Sequence, residues 1–143
     1  MKRYKFRLAQ VQRVRSIELD RAVGEVARAR HALAGAEARV VAAGEAYRNL
    51  PGQPAGTSSQ DLRSHLEVLR AGADAIVSAR LAVVRHQELV QARMADWAEA
   101  DRKVRLLDQL DERSRARHTE EVLAEEQQAL DDLVTSRKGR AAA

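Results

Sequence analysis

Apolar residues recur at alternating spacings of three and four along two stretches of this chain. The first runs through Leu19, Ala22, Val26, Ala29, Leu33, Ala36, Val40, Ala43 and Tyr47. The second runs through Leu62, Leu66, Leu69, Ala73, Ile76, Arg80, Val83, Gln87, Val90, Met94, Trp97, Asp101 and Val104. This period of seven is the stripe that a helix buries against a partner helix in a coiled coil. Between the stretches lies LPGQPAGTSS, Leu50 to Ser59. Proline removes a backbone donor and clashes with the preceding turn, and glycine is a poor helix former, so no helix crosses this segment. Ser58 or Ser59 is suited to cap the second helix, with Asp61 favourable in its first turn.

The pattern predicts an all-α fold, an antiparallel two-helix coiled-coil hairpin with a longer second helix. Helix 1 covers about 5–48, the loop about 49–58 and helix 2 about 59–136, with a basic disordered tail, 137–143, after it; the whole is a single coiled-coil domain, 1–143. Folding about the loop centre places Tyr47 near Leu62 and Leu66, Val26 near Arg85, and Trp97 near Val11 and Val14. Trp97 reads as a core residue.

The stripe is imperfect in places that matter. Helix 1 offers mostly alanine, which allows close approach but buries little area per layer. Polar Arg80, Gln87 and Asp101 fall at seam positions of helix 2. Before Leu19 the apolar positions shift to Phe6, Leu8, Val11, Val14 and Ile17. Helix 2 continues for roughly 30 residues after helix 1 runs out, about 45 Å. From Asp111 to Gln128 its only large apolar residues are Val122 and Leu123. Such an overhang is either a solvated single helix or a surface that a partner covers.

Composition agrees with long helices. Ala, Glu, Lys, Leu and Arg make up 79 of 143 residues, whereas there is one Trp, one Phe and two Tyr. That bias suits a coiled coil and argues against a β-sandwich, a Rossmann domain or an enzyme with a deep apolar pocket. No cysteine is present, so disulfides and thiolate chemistry are excluded. No apolar run approaches the roughly 18 residues of a spanning helix, and the first fifteen residues lack the apolar stretch of a signal peptide. A cytoplasmic protein is the expectation.

The net charge is +4, unevenly spread. Met1 to Arg15 carries Lys2, Arg3, Lys5, Arg7, Arg13 and Arg15 with no acid, and the tail adds Arg137, Lys138 and Arg140. Glu120, Glu121, Glu125, Glu126, Asp131 and Asp132 make the overhang acidic. The expected pairing sets the basic start beside Arg102, Lys103 and Arg105 as a positive collar. Such a collar could attract phosphate or anionic lipid, but stacking aromatics and nucleic-acid reading modules are lacking. No phosphate-binding glycine motif occurs. The four histidines are far apart and none has a histidine at i+4 for a metal pair; single histidines on such helices are expected to face solvent. Glu120/Glu121 and Glu125/Glu126 read as a solvated face. A two-helix hairpin has no concavity to exclude water from a reaction. Neither catalytic residues nor metal, cofactor, nucleic acid or small-molecule substrate are expected.

The opening KFRLAQVQRVRSIE, with Phe6, Leu8, Val11, Val14 and Arg15, resembles the start of the flagellar export protein FliJ family. AYRNL before the break is similar to the family's hairpin tip. WAEADRKVRLLDQLDERSRAR, Trp97 to Arg117, resembles its C-terminal helix, and Leu130-Asp131-Asp132 fits the acidic end of that helix. The likeness spans nearly the whole chain at the level of pattern. The high alanine content and the short Pro-Gly loop depart from it.

The resemblance implies a non-enzymatic, central-stalk-like adaptor of flagellar type III protein export. It implies insertion of the helix ends into the hexameric export ATPase, contact of the tip with the cytoplasmic domain of the large export-gate protein, and binding of some export chaperones. It also implies a location in the cytoplasm, peripherally at the inner face of the membrane. Tyr47 matches the family's tip tyrosine, Leu69 an apolar tip position and Leu66 a looser one; all three could equally just close the seam. At the base, Phe6, Leu8, Val11, Leu106, Leu110 and Arg113 match the terminal patterns and would face the ring, with Arg3, Lys5 and Arg7 as the collar. The alternative is the stalk of an injectisome export ATPase or a generic coiled-coil scaffold.

Overall fold

The computed structural model describes residues 3–141, with side chains as far as Arg137. Two helices are joined by one loop: α1, Ala9–Arg48, and the longer α2, Ser59–Ala141. Among the described residues there is no strand. The helices pair antiparallel through the loop, as the pattern predicts.

Three element ends carry physical reasons. α1 starts at Ala9, not near residue 5. Its start has no acid in the first turn, and Arg3, Lys5 and Arg7 oppose the positive end of a helix dipole; residues 3–6 are irregular and lead through a turn at Arg7 and Leu8. α1 ends at Arg48, where Pro51 forbids continuation. α2 begins with a reciprocal capping box. The amide of Asp61 donates to Ser58 Oγ at 3.1 Å, while the Ser58 amide (3.1 Å) and hydroxyl (2.5 Å) both donate to Asp61 Oδ2. These bonds hold the Asp61 carboxyl below its ordinary pKa. At the far end α2 continues to Ala141, so 137–141 of the expected tail are helical and 142–143 lie outside the described residues.

The chain forms two compact units, one of residues Asp20–Glu99 and one of Met1–Leu19 with Ala100–Ala143. In the loop-containing unit the seam of α1 matches the expected stripe: Ala22, Val26, Leu33, Val40 and Ala43 are half-buried, and Ala29 and Ala36 are buried, Ala36 completely. On α2 one row is as expected, with Leu69, Ile76, Val83 and buried Val90. The other row is displaced by one residue. Gly72, Ala79, His86 and Arg93 turn inward, and Ala73, Arg80, Gln87 and Met94 are exposed.

The pairing register also differs from the expected one. Arg30 meets Met94, Val40 lies with Arg80 and Val83, and Tyr47 lies over Gly72. Relative to folding about the loop centre, α2 has moved by about ten residues, close to three turns. The cause is the loop. Pro51, Gln53 and Ala55 lie along Asp61, Ser64, His65 and Val68, so the loop rather than α1 covers the start of α2. Val26 therefore sits by Met94 and Trp97, not Arg85, and Trp97 lies by Val23 and Val26 rather than Val11 and Val14.

In the other unit the first turns of α1 and the segment before it lie along α2. Its seam is largely polar. Gln12, Arg15, Ser16 and Leu19 are half-buried on α1, and Val104, Leu107, Asp111, Ser114, His118 and Val122 are half-buried or buried on α2. Val11, Val14 and Ile17, the shifted apolar positions, are exposed. From Leu123 to Arg137 every side chain is exposed.

Candidate functional site

The N-terminal segment is fixed by one cluster. The Tyr4 hydroxyl donates to Asp111 Oδ1 at 2.6 Å. Asp111 is the one buried polar residue among those described, 8% exposed. Its other oxygen accepts from Arg115, with Nη2 at 2.8 Å and Nε at 3.1 Å. The Arg115 guanidinium lies 5.6 Å from the Tyr4 ring centroid, and the His118 ring sits 5.6 Å from the same ring. One turn nearer the centre of α1, Gln12 Nε2 donates to Asp108 Oδ1 at 2.6 Å. Donation from Tyr4, then from Arg115 with its positive charge, holds the Asp111 carboxyl below its ordinary pKa. Desolvation and the Asp111 carboxylate raise that of Tyr4.

This anchorage shapes a shallow groove. Phe6, Leu8 and Leu110 line it together with Tyr4, Lys5 and Arg7. Three of the base residues picked out from sequence are thus brought together; Val11, Leu106 and Arg113 are exposed and do not line the groove. Of the basic collar, Arg3, Lys5 and Arg7 are all exposed. Their surroundings differ from the expectation. Arg3 and Lys5 share a second groove with Arg117, His118 and Glu121, while Arg105 pairs with Asp101 at 2.8 Å.

At the loop end, Tyr47 is 37% exposed and its ring lies over Gly72. A Cβ at Gly72 would stand 2.8 Å from Tyr47 Cδ2 and 3.1 Å from Leu50 Cδ1, so the glycine makes room for both side chains. Leu69 is half-buried in the seam, whereas Leu66 is 56% exposed on the adjacent row. The tip residues do not form one surface of like exposure.

Sequence reasoning missed Tyr4, Asp111, Arg115 and His118. The available signal was their spacing. Asp111 and His118 continue, at steps of seven, the row Val83, Val90, Trp97, Val104. A carboxylate in such a row needs a donor from the facing segment. The histidines also depart from the expectation of solvent-facing positions: His65, His86 and His118 are half-buried, and His31 is exposed. Among the described residues no cluster of histidine and carboxylates could hold a metal ion, and no helix is long and apolar enough to cross a membrane.

Compared with known proteins, the chain matches the family model described as flagellar FliJ protein over residues 4–143. No curated protein and no solved structure matches it. The match covers essentially the whole chain, so the chain belongs to the FliJ family and is a flagellar export-related coiled-coil protein.

Proposed function

We propose that the protein is a non-enzymatic stalk and adaptor of the flagellar type III export apparatus, working in the cytoplasm at the inner face of the membrane. In this reading the export ATPase hexamer holds its base and the large export-gate protein meets its tip, with export chaperones as further partners. One observation carries the reading of the base: the Phe6, Leu8 and Leu110 groove with Lys5 and Arg7 on its rim. It joins apolar anchors to positive charge at the surface, the combination that gives an interface both a desolvated centre and electrostatic steering. The Tyr4–Asp111 bond presents this groove in a fixed shape, which lowers the ordering cost of binding. At the tip, the partly exposed Tyr47 and the exposed Leu66 would meet the gate protein, with half-buried Leu69 in the seam beside them.

The test is binding of the full chain to the ATPase hexamer. Reversing Arg3, Lys5 and Arg7 to Glu weakens binding, and added salt weakens the wild-type contact. Phe6→Ala weakens it by about tenfold or more, the effect of losing one anchor. Unchanged affinity in all three experiments would mean that the groove is an ordinary solvated surface.

A further inference from the structure

The loop-containing unit bears an apolar groove that the reading of tip and base leaves unused. Val23, Val26, Ala27, Arg30, Met94 and Trp97 line a space of about 460 Å³ between α1 and α2. Trp97 and Met94 are each more than one third exposed, and Val23 about half. Arg30 stands at the rim with Nη2 3.9 Å from Met94 Sδ, and among the described residues it forms no ion pair. The groove runs along the row that turned outward on α2. Two heptads towards the loop, Arg80 of the same row borders a second depression with Val40, Val83 and Glu37. An apolar groove with a cation beside it suits an acidic amphipathic helix.

The chain itself carries such a helix without a partner. From Leu123 to Arg137 all side chains of α2 are exposed. Leu123, Leu130 and Val134 stand at i, i+7 and i+11, on one face. Glu120 and Asp131 flank that face on one side and Glu126 on the other. The stripe spans eleven residues, about 16 Å. Leu123 and Trp97 belong to the same helix, α2, and an unbroken helix cannot dock on itself.

We propose that the acidic end of α2 docks on the Trp97 groove of a second copy of this chain. Leu123 and Leu130 cover Trp97 and Met94, and the flanking carboxylates approach Arg30. Reciprocal docking uses each groove and each helix end once, and so closes a two-fold pair. Few apolar side chains take part, so the pair is weak and reversible, in roughly the micromolar range. This inference does not rest on the assignment of tip and base to the gate and the ATPase.

Trp97 is the only tryptophan, so its emission reports the groove directly. With the full chain at rising concentration and low salt, sedimentation velocity shows a dimer and the emission moves to the blue. High salt reverses both. Leu123→Asp/Leu130→Asp, at exposed positions, keeps the helical circular dichroism and weakens association by about tenfold or more. Arg30→Glu also weakens it, and combining Arg30→Glu with Glu126→Arg restores part of the loss. The decisive arm mixes two defective chains. The Leu123→Asp/Leu130→Asp chain keeps Trp97 but lacks the docking stripe, and Trp97→Phe keeps the stripe but is dark. Their mixture regains the blue shift that the first chain alone has lost. A wild-type chain that stays monomeric with concentration-independent emission would overturn the proposal. So would a dimer that the aspartate variants leave intact, or a mixture that shows no shift.

Discussion

The two units use one heptad frame for opposite chemistry. In the loop-containing unit the inward rows of α1 alternate Val26, Leu33 and Val40 with Ala22, Ala29, Ala36 and Ala43, and they meet Ile76, Val83 and Val90 on α2. In the other unit the same rows hold Gln12, Arg15, Asp111, Ser114 and His118. Apolar layers supply free energy in proportion to the area they bury, but they discriminate poorly between neighbouring registers, because alanine faces many partners equally well. A buried carboxylate with specific donors behaves the other way. Moving Tyr4 by one turn leaves Asp111 without its hydroxyl donor, a penalty that a wrong register cannot avoid. The apolar unit therefore holds the helices together, and the polar unit fixes where the N-terminal segment sits.

The largest expected effect tests the first half of that statement. Ala36 has no exposed surface, so Ala36→Leu must push the helices apart, at a cost of about 1–3 kcal/mol. Leu123→Ala, on the exposed end of α2, changes stability by less than about 0.5 kcal/mol. Thermal melting of the two variants measures both. Equal effects would mean that the alanine row is loosely packed, and the contrast between the units would fail.

Much of this was legible in the sequence, for reasons that particular residues show. The α1 stripe from Leu19 to Ala43 agrees with the structure, because only that face carries apolar residues at an unbroken spacing of three and four, while Val23 and Val41 stand alone outside it. On α2 three adjacent rows are candidates. Leu66 and Met94 made the outer row look like the seam, yet the helices selected Gly72 and Ala79, whose small side chains permit close approach. Size complementarity outweighed hydrophobicity at those layers, and hydrophobic periodicity contains no term for it. The register was hidden because it depends on how the Pro-Gly loop folds along the start of α2. The Tyr4 cluster was hidden for another reason. Tyr4 lies outside any helix, so no period connects it with Asp111 more than one hundred residues later.

Gly72 supplies a smaller and more pointed test at the loop end. Alanine in place of glycine in an exposed helix gains about 1 kcal/mol. At Gly72 the new methyl group meets the Tyr47 ring at 2.8 Å. Gly72→Ala is therefore expected to lower the melting temperature in the wild-type chain and to raise it in a Tyr47→Ala background. The double-mutant cycle yields the coupling between the two positions. Additive effects would show that the ring moves aside freely, in which case Tyr47 is held for recognition and not for packing. Binding to the gate protein, measured on the same four chains, then separates the two roles.

The smallest expected effect lies in the polar unit, and acid reveals it. Asp111 has a carboxyl pKa below its ordinary value of 3.8 because it accepts from Tyr4 and Arg115. A group depressed in the folded state contributes its stabilisation above the unfolded pKa and loses it as pH falls through the folded one. Between pH 7 and about 5 the anchorage is therefore intact, and it weakens below roughly pH 4. Tyr4 gives the opposite limb. Its pKa is raised above 10.0, so its contribution is complete below that value and disappears as pH rises through the folded pKa. The anchorage is local, and its loss is expected to release residues 3–8 while the apolar unit stays paired. Amide exchange at Gln12, whose N–H donates to the Leu8 carbonyl at 2.9 Å, reports that release, and the global melt stays nearly constant over the same pH range. Asp111→Asn at neutral pH reproduces the fast exchange, because it removes the charge that Arg115 and Tyr4 serve. Tyr4→Phe does so to a lesser degree, since the ring keeps its place beside Arg115 and His118. Protection at Gln12 that is unaffected by acid and by both substitutions would show that the polar seam does not set the position of the N-terminal segment, and the division of labour between the two units would have to be abandoned.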